Sequence, residues 1–178
     1  MPSSSWDLIP IISKCIHRHQ PKSILDIGIG FGKYGFLARE YTDISNERYD
    51  RDQWTTRIDG IEIFPRYIGD IQKYIYNNIY IGDSISILKT LDNYEFIFFI
   101  DVIEHMPKES GLEMLNLIKK KCKVGLIATP LKMAPQESFC GNENERHICA
   151  WTEKELSKFG AVKIIKNNRG ILLLVINN

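Results

Sequence analysis

A glycine-rich turn follows the first apolar run of the sequence and is the first segment whose residue types could bind a ligand. Gly28, Gly30 and Gly32 alternate with other residues directly after Asp26. A strand, a glycine turn and a helix let backbone N–H groups approach a nucleotide-like ligand. A dinucleotide phosphate fingerprint needs another glycine where this sequence has Lys33, which weakens the interpretation as a pyrophosphate site. The glycines could also serve close packing of a helix on a sheet.

Acidic residues stand at the ends of the next two predicted strands. Glu62 lies in the apolar run 58–64, where a carboxylate can accept both hydroxyls of a ribose lying over the glycine turn. A solvent-facing carboxylate is the alternative, although a charge inside an apolar run needs a partner. Asp83 follows the third predicted strand and could accept a hydrogen bond from the amino group of an adenine. Ile63 and Phe64 could flank that adenine. We therefore expect three strand ends to converge on one adenosine.

Polar side chains also gather directly after the strongly apolar fourth strand. Asp101, Glu104 and His105 occupy what would be the rim of the ligand crevice. His105 is a candidate general base, because imidazole titrates near neutral pH and such a base contributes about 10²–10⁴ in rate. A helix-capping or orienting role is the alternative for this histidine. For Glu104 a structural role is expected.

The segment 129–151 is the pool of polar and aromatic side chains that could face a substrate. A loop of this length inside a compact domain is usually functional. Arg146 could bind an acidic group through two parallel hydrogen bonds. His147 is either a second candidate base or a histidine that pins the loop. Trp151 is either a substrate platform or a hydrophobic anchor.

The elements that must position these residues alternate between strands and helices, which predicts a doubly wound α/β fold with helices on both faces of a mostly parallel sheet. Two final apolar runs, 162–165 and 171–176, are joined by five residues, too few for a crossover helix, so they predict an antiparallel hairpin. The remaining strands are expected at 24–27, 58–63, 79–81, 96–100 and 124–128, and the helices at 6–17, 33–41, 66–76, 84–89, 110–121 and from 152 onwards.

Length and composition favour one globular domain spanning residues 1–178, with a leading helix within 1–20 and a polar, exposed insertion at 42–54. No apolar run approaches the roughly 20 residues of a membrane span, and no secretory signal is evident, so we expect a cytoplasmic protein. A net charge of +1 gives no electrostatic reason to bind DNA. Cys140, His147 and Cys149 match no familiar zinc spacing, so no metal site is expected.

Four motifs in this order resemble those of class I S-adenosylmethionine-dependent methyltransferases. They are the glycine turn with its preceding strand (25–32), the acidic strand end at Glu62, the pair 82–83 and the segment 101–105. The resemblance covers residues 23–130 by motif and extends to the C-terminus by topology, because the sheet of that family also ends in an antiparallel hairpin. It implies a seven-stranded, Rossmann-like methyltransferase fold and S-adenosyl-L-methionine as the cofactor.

The resemblance also implies roles for individual residues. Asp26 and the three glycines would hold the methionine part of the cofactor, Glu62 its ribose, and Asp83 its adenine, with Ile63 and Ser84 beside it. Asp101 to His105 would face both the cofactor and the site of methyl transfer. Asp101 and His105 are therefore candidate catalytic residues, together with His147 as the second candidate base. Arg146, His147 and Trp151 remain the candidates for binding the substrate.

Departures from the family narrow the substrate class. No Asn-Pro-Pro-Tyr-like or Asp-Pro-Pro-Tyr-like segment and no Pro-Cys pair follows the fourth strand, which argues against methylation of DNA amines or pyrimidine carbons. The expected acceptor is an oxygen or nitrogen of a small molecule, with protein and RNA as alternatives. A non-catalytic cofactor-binding or scaffolding protein also fits. A nicotinamide-dependent oxidoreductase fits less well, because a phosphate glycine and a substrate domain are missing.

Overall fold

A computed structural model describes residues 3–133, 135–165 and 170–177. Its strands and helices alternate as the hydrophobic pattern predicts. The strands are β1 (Ser23–Ile27), β2 (Arg57–Glu62), β3 (Asn78–Ile81), β4 (Tyr94–Ile100), β5 (Cys122–Pro130), β6 (Ala161–Ile165) and β7 (Ile171–Asn177). The helices are α1 (Ile9–His19), α2 (Lys33–Thr42), α3 (Asp70–Ile75), α4 (Ser84–Thr90), α5 (Lys108–Lys121) and α6 (Glu153–Leu156).

The seven strands form one sheet in the order β3-β2-β1-β4-β5-β7-β6. Strands β1 to β5 run parallel, and β7 pairs antiparallel with both β5 and β6. The expected doubly wound sheet and its C-terminal antiparallel hairpin are therefore confirmed, while the hairpin connection 166–169 lies outside the described residues. Successive strands are added in opposite directions on either side of β1 and β4, and ligands of such sheets bind at the carboxyl ends beside that reversal.

Apolar side chains cover both faces of the sheet, as expected for helices on both sides. Within β4, Ile97 and Phe99 join the cluster that packs against α4 and α5, whereas Phe96 and Phe98 join the one that packs against α1 and α2. This alternation follows from the two-residue period of a strand. Because helices cover both faces of the sheet, a ligand can contact it at the polar residues that follow the strand ends.

The helix expected at 66–76 is interrupted in the structure. A short 3-10 turn at Pro65–Tyr67 is separated from α3 by extended backbone at Ile68 and Gly69. Glycine is unfavourable inside a helix, and here Gly69 precedes the first residue of α3 instead. The prediction of one continuous helix was wrong at this point. The shorter α3 leaves Tyr67 on a separate turn near the carboxyl edge of the sheet.

The polar insertion 42–54 is mostly exposed but is fastened to α2 by a buried cluster. Asp43 is 0% exposed and forms ion pairs with Arg39 and Arg48. The guanidinium of Arg39 also lies 4.1 Å from the ring centroid of Trp54.

Within the described chain, no helix is both long enough and apolar enough to cross a membrane.

Candidate active site

A cavity of about 970 Å³ opens at the carboxyl ends of β1 to β4. The turn after β1, the ends of β2 and β3, and the segment after β4 all contribute to its wall. The structure thus brings together several of the residues singled out in the sequence: Gly28, Gly30, Glu62, Ile63, Asp83, Ser84, Asp101, His105 and His147. The insertion 42–54, all of which is described, contributes no residue to the wall.

The glycine turn approaches the neighbouring backbone closely. Gly28 has a φ of +77°, and a Cβ atom placed on it would lie 2.5 Å from Val102 Cγ2. Its N–H donates to the carbonyl oxygen of Ile61 at 2.8 Å, which ties the turn to the end of β2. Only glycine combines this left-handed backbone with such close packing. Gly28 and Gly30 therefore contribute backbone to the wall of the cavity.

Glu62 is the best-positioned acceptor of the cavity. Its side chain accepts hydrogen bonds from the N–H groups of Gly30 and Phe64, both at 2.9 Å. Burial raises the pKa of this carboxyl, and the two N–H donors oppose the effect. Each carboxylate oxygen has a second acceptor position. Glu62 is consequently a fixed group with capacity left for two hydroxyl donors.

Asp26, which the resemblance assigned to the methionine part of the cofactor, does not line the cavity. Its side chain is buried outside the cavity wall and accepts a 2.6 Å hydrogen bond from the hydroxyl of Tyr76. Burial raises the pKa of Asp26 to about 7. A Cβ on Gly35 would lie 2.3 Å from that same hydroxyl oxygen. Asp26 therefore supports the glycine turn from beneath, and Gly32, also outside the wall, supplies left-handed backbone at the start of α2.

Asp83 lies on the wall and caps α4. Its Oδ1 accepts hydrogen bonds from the backbone N–H and the hydroxyl of Ser86 at 2.8 and 2.7 Å, and these bonds lower the pKa of the carboxyl. Oδ2 is the oxygen that remains as an acceptor for a ligand. Ile63, 46% exposed, and Ser84 also line the cavity on this side.

The N-terminal segment 3–7 forms a part of the wall that no sequence pattern predicted. The N–H of Ser5 donates to Asp101 Oδ2 at 3.3 Å, and the ammonium of Lys33 donates to the carbonyl of Ser4. Asp101 itself has a left-handed φ of +52°, unusual for a residue with a side chain. Burial raises the pKa of Asp101 to about 6, against the opposing effects of Ser5 and Lys33. The contact between 3–7 and Asp101 joins segments distant in sequence and has no local signature.

Two histidines of the cavity wall contact each other, one from the turn after β4 and one from the long loop. The ring centroids of His105 and His147 lie 4.8 Å apart in an edge-on arrangement. His105 Nδ1 lies 2.9 Å from the carbonyl oxygen of Arg146. Because a carbonyl only accepts, Nδ1 carries the hydrogen and the lone pair is on Nε2. Burial lowers the pKa of His105, which favours this neutral form.

Glu104 is buried between these histidines and β5. Its side chain accepts a 3.1 Å hydrogen bond from the hydroxyl of Thr129 through Oε2. Its backbone carbonyl accepts from the N–H groups of Ile148 and Cys149. These contacts tie the long loop to the turn after β4, as the expected structural role requires. They also place His147 beside His105.

Arg146 and Trp151, the other two candidates for substrate binding, lie outside the cavity wall. The exposed guanidinium of Arg146 pairs with Glu137 and Glu143 at 3.3 and 3.2 Å. Trp151 is 2% exposed, and its indole N–H donates to the carbonyl of Ile103 at 3.3 Å. A Cβ on Gly111 would lie 2.4 Å from the indole ring. Trp151 is thus the hydrophobic anchor of the loop.

Further polar residues complete the wall: Tyr67, which sequence reasoning missed, and several members of the expected substrate-facing segment 129–151. Tyr67 donates to Glu145 Oε1 at 3.0 Å, and the amide of Gln136 donates to the carbonyl of Glu145 at 2.8 Å. Asn142 and Asn144 line the same side. Among the described lining residues, six carboxyl groups face one ammonium group, that of Lys33; the six belong to Asp7, Glu62, Asp83, Asp101, Glu104 and Glu145. Burial raises the pKa of Glu62, Asp101 and Glu104, and a cationic ligand would favour the ionised forms of these carboxyl groups.

Several solved structures with the same fold are methyltransferases. A SAM-dependent methyltransferase from Archaeoglobus fulgidus has a TM-score of 0.64 and 17% identity, covering 96% of this chain and 94% of that one. A 1,6-didemethyltoxoflavin-N1-methyltransferase from Burkholderia thailandensis, solved with bound 1,6-didemethyltoxoflavin and S-adenosylhomocysteine, has a TM-score of 0.64 and 14% identity, covering 96% of this chain and 78% of that one. No protein-family model and no curated protein sequence matches the chain.

The chain therefore has the Rossmann-like fold of class I SAM-dependent methyltransferases, as the motif order predicted. An O-methyltransferase family protein from Burkholderia thailandensis has a TM-score of 0.63 and 12% identity, covering 96% of this chain. The present chain spans 55% of the length of that protein and 62% of TehB from Haemophilus influenzae.

Proposed function

We propose that the protein transfers the methyl group of S-adenosyl-L-methionine to an oxygen or nitrogen of a small acceptor molecule. The observation that carries the proposal is Glu62, a buried carboxylate fixed by Gly30 and Phe64 at the mouth of the glycine turn. Its remaining acceptor capacity suits the two vicinal hydroxyls of a ribose. The acidic lining suits the positive charge of a sulfonium.

The residues present fit the cofactor along one side of the cavity. Gly28 and Gly30 place the backbone of the turn in the cavity wall, where it would lie against the methionine part of the cofactor. Glu62 would hold the ribose. Asp83 Oδ2 would accept the adenine amino group, with Ile63 and Ser84 beside the base.

The acceptor would enter where Asp101, His105 and His147 face the cavity. When bound, the cofactor supplies a methyl group on positively charged sulfur, which an oxygen or nitrogen can displace directly. The protein then has to align the partners and accept a proton. His105 is suited to the second task, because its Nδ1 is engaged by the Arg146 carbonyl and its Nε2 carries the lone pair.

Binding of the cofactor is the first test of this proposal. Isothermal titration of the purified protein with S-adenosylhomocysteine should give saturable binding, whereas NAD should give none. Extracts supplied with radiolabelled methyl donor should then show protein-dependent label in small molecules. Label in protein or RNA would show that the acceptor is a macromolecule and not a small molecule, while methyl transfer itself would still be supported. Absence of cofactor binding would refute the proposed function.

A further inference from the structure

We propose that Glu104, His105 and His147 form a binding site for a divalent transition metal ion. One potential ligand atom from each of these residues lies within 4.8 Å of those of the other two. All three residues line the cavity, on the side proposed for the acceptor. No local sequence pattern indicates this cluster, because the two segments that form it are far apart along the chain.

Glu104 provides the strongest evidence that this cluster can bind a cation. The residue is 2% exposed, and within the described structure its Oε1 has no hydrogen-bond partner. Leaving a buried carboxylate oxygen unpaired is unfavourable, whereas a metal ion would satisfy it. The Thr129 hydroxyl holds Oε2, and this contact leaves Oε1 as the oxygen available to an ion.

His105 has the arrangement that metal-binding histidines usually show. Such a histidine donates its second ring N–H to a carbonyl or a carboxylate, and this bond orients the ring. The carbonyl of Arg146 accepts from Nδ1 in this way, and the lone pair on Nε2 is then available to an ion. In the metal-bound protein this lone pair binds the ion, so His105 would act there as a ligand and not as the proton acceptor.

The opposite side of the triad is held by the long loop. The backbone N–H of His147 donates to the carbonyl of Gln136 at 3.1 Å, and the buried Trp151 anchors the same loop. Metal bonds of about 2.0–2.2 Å would require each of the three ligand atoms to move roughly 1 Å towards a common centre. The surplus of carboxyl groups along the cavity further favours a cation.

Two imidazoles and one carboxylate favour ions such as Mn²⁺, Fe²⁺ or Zn²⁺ over Mg²⁺ and Ca²⁺, which prefer oxygen ligands. Three protein ligands also leave coordination positions open to a further molecule. If the proposed function holds, on which this extension rests, an acceptor with a hydroxyl group would bind the ion there. A metal acting as a Lewis acid lowers the pKa of such a hydroxyl.

Metal binding can be measured without any methyl acceptor. The full chain, freed of metal with a chelator, is titrated with MnCl₂ and ZnCl₂ by calorimetry, and the bound Mn²⁺ is observed by electron paramagnetic resonance. We expect one ion per chain and weaker binding of MgCl₂. Glu104→Gln and His147→Ala should each weaken binding of Mn²⁺ by about 10-fold or more. His17→Ala, an exposed histidine on α1, is the matched control and should bind like the wild type.

The outcomes separate the metal site from the proposed function. Wild-type affinity for Mn²⁺ and Zn²⁺ in both Glu104→Gln and His147→Ala, with thermal unfolding showing folded proteins, would overturn the site. So would a lack of binding to the wild type. S-adenosylhomocysteine is titrated into the same metal-free protein. Metal binding without cofactor binding would refute the methyltransferase and keep the metal site, and the reverse result would refute only the metal site.

Discussion

At the scale of single residues, Glu62 is the group on which the proposed cofactor site depends most directly. Its carboxylate accepts hydrogen bonds from the N–H groups of Gly30 and Phe64. It lines the cavity, where its remaining acceptor positions are available to a ligand. Hydrogen bonds to a charged group contribute about 1.5–3 kcal/mol each. Glu62→Gln keeps the size of the side chain and replaces one acceptor oxygen by a donor.

We expect Glu62→Gln to weaken binding of S-adenosylhomocysteine by about 10- to 100-fold, measured by calorimetry. Glu40→Gln, an exposed position on α2, is the matched control. An affinity equal to that of the wild type would remove Glu62 from the cofactor site.

His105 should affect turnover more than cofactor affinity. Its imidazole lies on the acceptor side, and burial keeps it neutral near pH 7 by lowering its pKa. His105→Ala should reduce kcat by about 10²–10⁴ on the acceptor that labelling identifies, because the proton acceptor, or in the metal-bound protein a ligand of the ion, is lost. The affinity for S-adenosylhomocysteine should stay close to that of the wild type. Unchanged kcat would show that His105 has no part in the reaction.

At the scale of elements, the glycine turn and the segment after β4 must fit each other closely. Gly28 combines a φ of +77° with a virtual Cβ 2.5 Å from Val102 Cγ2. Gly141 has nearly the same φ, +78°, but a Cβ there would have no atom within 4 Å. The pair separates backbone strain from overpacking.

Gly28→Ala should therefore destabilise the protein more than Gly141→Ala. Overpacking adds about 1–3 kcal/mol to the conformational cost, and this difference should appear in the free energy of unfolding in urea. The double variant Gly28→Ala with Val102→Ala should recover part of the loss, since the clashing methyl groups are removed. Equal losses in the two single variants would show that the close packing is unimportant.

At the scale of the whole molecule, the buried carboxyl groups around the site make stability depend on pH in an unusual direction. The pKa of Asp26 is raised to about 7 in the folded protein, above its ordinary value. Between about pH 4 and this value the native state binds more protons than the unfolded chain, so the free energy of unfolding falls as the pH rises. At lower pH, where Asp26 is protonated in both states, this loss is absent.

Asp26→Asn should remove this contribution, because the amide cannot ionise and still offers an oxygen to the hydroxyl of Tyr76. Urea unfolding of both proteins between about pH 5 and about pH 8 should show the wild type losing stability relative to the variant as the pH rises. Asp101, whose pKa is raised to about 6, contributes alike to both proteins and cancels in the comparison. Parallel curves would contradict the raised pKa of Asp26.

Much of the fold could be predicted from the sequence because its signals are local. The apolar run that became β4 and the short connection before β7 predicted a parallel sheet ending in a hairpin, and both elements are present. Acidic residues at strand ends were also located correctly, since parallel strands bring their carboxyl ends to one edge. The helix predicted across Gly69 failed where a local backbone preference interrupted an otherwise periodic pattern.

The sequence by itself determined which polar residues lie at the strand ends, because hydrophobic period and connection length specify strands, helices and their direction. Only the tertiary structure decided which of those side chains reach the cavity. Asp26 is held beneath the turn by Tyr76, Trp151 is buried against Gly111, and Arg146 points to its acidic neighbours. The contact of Ser5 with Asp101 and the meeting of His105 with His147 likewise depend on packing between segments distant in sequence, to which no local pattern is sensitive.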